Sequence, residues 1–353
     1  MDSPTLSDVA RAAGVSYATA DRVINKRGNV AEKSMRKVQE AVASLGYVRN
    51  VAAANLSRGR TYRLAFLIPA GSNAFFNRMR QHLSATAQHF ASDRVSVEII
   101  EIAAFAISGL HDSLVSLVDE NFDGAAIVGL QGGALEAPLK QLRDKGIAII
   151  GLVSDLPEEY RSAYIGIDNT VAGRTAARLI GMSHAGRKGL VQTFAGSLDA
   201  QDHDERLAGF REVIDADYPQ IDLLETVMTK DDAAIVRAQT ETQLEVQSEL
   251  TAIYNVGAGN SGLIAALHHR QQFKPFCVVH ELVPHTRRAL LEGHVDLVID
   301  QRPDVEINRA FAVLRSLIDQ QPLPPLPDLV PTIYVRDNLP ADTTDSTMKD
   351  QNP

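Results

Sequence analysis

Along the first fifty residues the apolar positions fall three and four apart. Leu6, Val9, Ala10 and Ala13 form one stripe, the spacing of a helix with one buried face. Thr5, with Asp8 three residues on, is a variant of the capping box that opens such a helix, and Gly14 is its stop. Val15 can plug the corner that follows. Ser16 is placed to cap a second helix over residues 17–25, with Ala20, Val23 and Ile24 facing inward. A third helix is expected over about 32–45, with Met35, Val38, Val42 and Leu45 inward. Val51 to Ser57 is rich in alanine and helix-capable, yet too short to hold a helix alone in water.

From Arg63 the pattern changes to short apolar runs separated by helical periodicities. Runs at 63–69, 95–101, 124–128, 147–152, 163–167, 188–194, 250–255, 276–280 and 296–300 read as strands. Near-continuous apolar strands alternating with helices are the mark of parallel sheets covered on both faces. So many strands imply two sheets, with a ligand cleft at their carboxyl ends. The expected fold is an all-α helix-turn-helix head followed by an α/β body of two doubly wound parallel-sheet lobes.

Composition sharpens this picture. A chain of 353 residues is long for one core and suggests two or three domains. Hydrophobic residues make up 45% and charged residues 22%, as in ordinary globular proteins. Cys277 stands alone, so no intrachain disulfide is possible, and a reducing cytoplasm is the expected compartment. Met1 to Val9 is polar and lacks the apolar core of a secretory signal, and no apolar run reaches membrane-span length, so no membrane partner is expected. The net charge of -9 is unevenly spread. Residues 1–63 hold 11 Lys/Arg against 5 Asp/Glu, whereas the remainder holds 24 against 39. A basic head on an acidic body suggests that the head alone meets a polyanion. The outer face of the second helix carries Tyr17, Ala18, Asp21 and Arg22, and an arginine there can contact guanine with two hydrogen bonds.

Enzyme signals are sparse. The ten histidines make no recognised metal spacing, so no metal is expected, and neither GxSxG nor a Walker-A sequence occurs. One motif competes. Gly257-Ala-Gly259-Asn-Ser-Gly262 is a GxGxxG after a strand and before a helix, with Glu281 about twenty residues on. It leaves an NAD-dependent oxidoreductase as an alternative; otherwise no cofactor and no catalytic residue is expected.

The run from Thr5 through Val9, Gly14-Val-Ser16-Tyr17-Ala18-Thr19 and Arg22-Val-Ile-Asn25 resembles the head of the LacI/GalR family, and the likeness continues through Val30, Lys37, Val38, Ala41, Leu45, Gly46-Tyr47 and Asn50. Ala20 and Asp21 depart from it, standing where the family has valine and serine. The resemblance extends over the body, to about Asn338, and to type I periplasmic sugar-binding proteins. It implies a transcription regulator, a repressor, in which a small polar ligand bound between the lobes controls affinity for operator DNA. A transport-type sugar-binding protein is the other alternative; the body fits it, but the basic head does not.

By resemblance, Thr5, Ser16, Tyr17, Ala18, Thr19, Asp21, Arg22, Asn25 and Asn50 are DNA-facing, Leu56 wedges into the minor groove, and Arg58 suits phosphate. Ligand contacts carry over to Asn73, Phe75 and Phe76 after the first strand, and to Asp155, Arg206 (of an Arg-x-x-Gly-aromatic motif), Asn255, Glu281 and Gln301. Amides, carboxylates, one arginine and a ring platform suit a neutral sugar or cyclitol. The implied organisation is a DNA-binding head at 1–49, a hinge at 50–60, a two-lobed ligand-binding body at 61–340 and a disordered tail at 341–353. One lobe takes about 61–167 and 301–326, the other 168–300 and a strand near 330–336. Reading a pseudo-palindrome requires a homodimer. The last thirteen residues hold one large apolar side chain, Met348, so no tetramer-forming heptad seam is expected there.

Overall fold

The computed structural model describes residues 4–24, 28, 30–47, 61–90, 92, 94–268 and 274–341. Asn25, Asn50, Leu56 and Arg58, like residues 342–353, lie outside the described residues. The chain divides into two compact units, Met1–Arg60 and Thr61–Pro353.

The first unit holds α1 (Leu6–Ala13), α2 (Tyr17–Ile24) and α3 (Glu32–Leu45). Thr5 and Asp8 close a reciprocal capping box, and Gly14 takes the left-handed conformation that ends α1. Ser16 Oγ accepts from the Thr19 amide at 3.1 Å and so caps α2. Val9, Ala10, Ala13, Ala20, Val38 and Ala41 form the core, with Val23, Ile24 and Val42 packed against it. Met35 and Leu45, expected inward, are 39% and 38% exposed. The reason is length: α3 has fourteen residues against eight in α1 and in α2, so its ends overhang its partners.

The body begins β1 (Tyr62–Pro69), α4 (Ala74–Phe90), β2 (Val95–Ile102), α5 (Ile107–Asp119), β3 (Gly124–Ile127), α6 (Glu136–Asp144), β4 (Ala148–Leu152) and β5 (Ala163–Ile165). It continues α7 (Asn169–His184), β6 (Gly189–Ala195), α8 (Gln201–Asp217), β7 (Ile221–Leu223), β8 (Val227–Met228), α9 (Ala233–Val246), β9 (Ala252–Asn255) and α10 (Asn260–His268). It closes with β10 (Phe276–His280), α11 (Pro284–Glu292), β11 (Leu297–Asp300), α12 (Pro303–Ile318) and β12 (Thr332–Tyr334).

Two sheets result. The first has the order β2-β1-β3-β4-β5 and is parallel throughout. The second has the order β12-β11-β10-β9-β6-β7, with β8 also pairing β6; β12 alone runs antiparallel. Alternation along each strand feeds two cores per lobe. In lobe 1, Leu64, Phe66 and Ile68 of β1 face α4 and α12, while Ala65 and Leu67 face α5 and α6. In lobe 2, Ala252 and Tyr254 of β9 face α7 and α8, while Ile253 faces α9 and α10. The late helix α12 completes lobe 1, and β12 then returns to the edge of lobe 2, so the chain passes between the lobes three times.

Candidate functional site

A cavity of about 470 Å³ opens where the carboxyl ends of the two sheets meet. Strand order reverses beside β1 and β3 in one lobe and beside β6 and β9 in the other, and ligand crevices form at such points. Of the side chains expected to meet a ligand, Asn73, Phe75, Phe76, Arg206, Glu281 and Gln301 line it.

Arg206 sits on the inward face of α8 and is 2% exposed. Its Nε donates to Asn169 Oδ1 at 3.0 Å and its Nη1 to the Val256 carbonyl at 2.7 Å. Asp202, one turn earlier, brings Oδ2 to 3.8 Å from Nη2. Nη2 itself has no hydrogen-bond partner among the described residues. A charge this buried is costly, and the fixed partners hold it in one orientation.

Glu281 follows β10 with a left-handed φ of 73°, an uncommon conformation for a residue other than glycine. It accepts from Gln301 Nε2 at 2.6 Å through Oε1, while Oε2 and Gln301 Oε1 have no partner among the described residues. Burial, then the neighbouring Asp300 carboxylate, pushes the Glu281 carboxyl up to about 8. Glu306, one turn into α12, is raised well above the ordinary carboxylate range by burial and then by Glu281 and Asp300. Next to Glu281, His280 exchanges a hydrogen bond with the Tyr254 hydroxyl at 2.9 Å through Nε2. Burial foremost, then Arg206 and His203, depresses its basicity well below the usual imidazole range, so the ring is neutral.

The lobe 1 residues are held differently. Asn73 Oδ1 accepts from the Phe75 amide at 3.0 Å and so starts α4. Phe75 belongs mainly to the core, edge to face with Phe76 at 5.0 Å, and Phe76 is the more open ring. Two expected ligand residues lie elsewhere. Asp155 is clamped by Arg161 through two bonds of 2.7 Å and lines a second cavity, formed with residues 163–168 and 323–331. The cause is Val153, whose φ of 66° turns the chain after β4 so that Val153 and Ser154 line the cleft instead. Asn255 is fully buried beneath the cleft floor, donating to the Ala258 carbonyl at 2.9 Å and to Asn260 Oδ1 at 2.7 Å.

Asp202, His203, Asp231, Asn260 and Phe105 also line the cavity and were not foreseen. Asp202 and His203 stand four and three residues before Arg206, a helical spacing open to reading in the sequence. Asp231 reaches the cleft through two consecutive left-handed residues, Lys230 and Asp231, that no motif announces. Its Oδ1 accepts from the Ala258 amide at 2.9 Å, and burial raises its pKa.

This arrangement decides the GxGxxG turn. A phosphate-binding turn needs free amides and room beside its first glycine. Here the Ala258 amide is taken by Asp231, and a Cβ at Gly257 would lie 2.3 Å from the same carboxylate. Gly262 allows α10 to approach α9: a Cβ there would lie 1.8 Å from the Ala233 carbonyl. The glycines serve packing, and an acid stands where a pyrophosphate would sit. The turn does not fit a dinucleotide.

The lobes touch on both flanks of the cleft. Arg78 of α4 donates to the Leu282 carbonyl at 3.1 Å and to Asp300 Oδ1 at 3.0 Å. Gln131 donates from its amide to the Asp199 carbonyl at 3.0 Å and from Nε2 to Gln201 Oε1 at 2.6 Å. Among the described residues, no group of three His, Cys, Asp or Glu could hold a metal, and no helix is long and apolar enough to cross a membrane.

In the head, Tyr17, Ala18 and Arg22 are exposed on α2, whereas Asp21 and Thr19 are half-buried. The Thr5 and Ser16 hydroxyls are exposed but already serve as caps.

A two-lobed α/β body with three crossings and a polar cleft defines a class of small-ligand-binding proteins, here preceded by a helix-turn-helix head. Residues 64–322 match the periplasmic binding protein domain, and residues 5–50 match the lacI family of bacterial regulatory proteins. The chain belongs to the periplasmic binding protein domain family, with the helix-turn-helix head of the lacI family of bacterial regulatory proteins in front of it. The HTH-type transcriptional regulator CelR of Thermobifida fusca is 32% identical over 225 residues, 60% of this chain and 61% of that protein. The match thus spans about three-fifths of the relative's length. A solute-binding protein of an ABC transporter from Burkholderia graminis, solved in complex with D-arabinose, superposes with a TM-score of 0.72 at 27% identity, covering 78% of this chain and 96% of that one. GanP, a glucose-galactose binding protein from Geobacillus stearothermophilus, shares the fold with a TM-score of 0.71 at 20% identity, over 80% of this chain and all of its own.

Proposed function

We propose that the protein is a sequence-specific DNA-binding transcription regulator, a repressor, whose operator affinity is set by a sugar or polyol bound between the lobes. The observation that carries this reading is the cleft wall of Arg206, His280, Glu281 and Gln301. Each keeps a buried polar atom without a hydrogen-bond partner among the described residues, on a chain that also bears a basic helix-turn-helix head. Buried unpaired groups are costly, and a ligand that pairs them recovers that cost. Residues 1–49 form the DNA-binding head, 50–60 the hinge, 61–340 the ligand-binding body and 341–353 the tail. Arg22, Tyr17 and Ala18 meet the major groove, Asn25 and Asn50 add DNA contacts, and Leu56 and Arg58 serve the minor groove and phosphates. Two copies pair to read a two-fold operator, in the cytoplasm, and the protein has no enzymatic role. The sugar-binding neighbours share its body, but a transport protein has no use for the head.

The test is a thermal-shift screen of the full chain against sugars and polyols, followed by gel shifts on genomic fragments with and without each hit. A ligand that stabilises the body and changes DNA affinity is expected, because binding to the folded state alone raises stability by mass action. Specific DNA binding that no stabilising ligand alters overturns the reading.

A further inference from the structure

The two walls of the cleft differ in kind. Lobe 2, counting Gln301 at the crossover directly after β11 and bonded to Glu281, brings the charged and polar groups, with atoms lacking a hydrogen-bond partner among the described residues on Arg206, His280, Glu281 and Gln301. Lobe 1 brings Ala70, Ala103, Ala104, Leu130 and Val153, with the rings of Phe76 and Phe105. Its polar side chains at the cleft are Ser72, Asn73 and Ser154, and the Asn73 carbonyl oxygen is already spent on the Phe75 amide.

Part of the lobe 1 backbone is already engaged. The amides at its strand ends are engaged: Ala70 to the Ile102 carbonyl, Val128 to Leu67, Gly129 to Ser154 and Gln131 to Asp199. Phe105 extends this apolar surface across to lobe 2. Its φ is 54°, its ring lies 5.8 Å from that of His203, and a Cβ on Gly196 would lie 2.7 Å from its Cζ.

A fully hydroxylated pyranose or cyclitol carries hydroxyls around its whole rim. Those turned toward lobe 1 lose water and gain few partners, each such mispairing being worth roughly ten- to a hundredfold in affinity. We propose that the cleft selects a ring polyol that is reduced on one side, deoxygenated or O-methylated where it faces lobe 1, with its hydroxylated edge on lobe 2. This rests on the polyol reading above and adds to it which polyols bind.

Calorimetric titration of the full chain with matched pairs tests it: D-galactose against D-fucose, L-mannose against L-rhamnose, and myo-inositol against its mono-O-methyl ethers. In the tightest-binding pair the reduced member should win by at least about fivefold. Any smaller ratio, or a win for the fully hydroxylated member, overturns the proposal while leaving the polyol reading intact. If no member of any pair binds, the polyol reading falls and the proposal with it. Ala104→Asn places an amide on the lobe 1 wall at an exposed position. It should shrink or reverse the preference, and an unchanged ratio removes lobe 1 as its cause.

Discussion

A guanidinium held by two hydrogen bonds presents its remaining nitrogen in one direction, and Arg206 is held in that way by Asn169 and Val256, with the Asp202 carboxylate 3.8 Å from the remaining Nη2. Arg206→Ala should weaken binding of a stabilising sugar or polyol by about ten- to a hundredfold while leaving ligand-free DNA binding unchanged. Calorimetry and gel shifts read the two effects separately, and equal ligand affinity in the variant would remove Arg206 from the site. Glu281 carries a pH signature. Its folded-state pKa of about 8 stands above the ordinary 4.5, so between these values the folded chain holds a proton that the unfolded chain has lost. The stabilisation is complete below 4.5 and fades as pH rises toward 8. Glu306 pushes the same way. Glu281→Gln keeps the bond from Gln301 and removes the titration, so the fall in melting temperature from pH 5 to pH 8 should shrink to roughly half. The same fall in both proteins would show that Glu281 is not the group responsible. Arg206, Glu281 and Gln301 were legible only through the family resemblance, and all three line the cleft. Asp155 does not, because the turn that diverts it depends on a left-handed valine, Val153, and valine carries no mark of that conformation.

At the scale of elements, the apolar run decided what could be read. β1, β6 and even the three-residue β5, which lies in the run 163–167, stood out in the sequence; β7 and β8, of three and two residues, lie among polar positions such as Gln220, Asp222, Glu225 and Thr226 and show no such run. The capped helices α1 and α2 were equally plain, since Thr5, Gly14 and Ser16 mark their ends. On the proposed function, the face that α2 leaves open is the one that meets DNA. Arg22 is exposed in its last turn. Arg22→Ala should lower specific operator affinity by about ten- to a hundredfold, the worth of one good base contact, and leave the melting of the body unchanged. Retained discrimination between operator and random DNA in a competition gel shift would count against α2 as the reading helix.

For the molecule as a whole, the cleft depends on two lobes meeting, and contacts at Arg78 and Gln131 hold them together on opposite flanks. A ligand that touches both walls favours that arrangement by its differential affinity, and on the proposed function this difference is what would alter DNA binding by the head. The interleaving of the chain has a second consequence, felt during synthesis. Lobe 1 is not finished when β5 leaves the ribosome, because its cover, α12, is encoded after all of lobe 2 except its last strand, β12. At about 5–20 residues per second, roughly ten to thirty seconds pass between the end of β5 and the completion of α12. During that interval the face carrying Leu64, Phe66 and Ile150 lacks Ile307, Phe311 and Leu314, the side chains that seal it. The nascent protein thus carries a sticky half-domain for about two-fifths of its translation, residues 165 to 318 of 353, and its yield in a cell should depend on chaperones that shield it. A fragment of residues 61–300 should accumulate as aggregate, whereas 61–341 should sediment as a soluble species; a soluble, cooperatively melting 61–300 would mean that lobe 1 can close without its last helix.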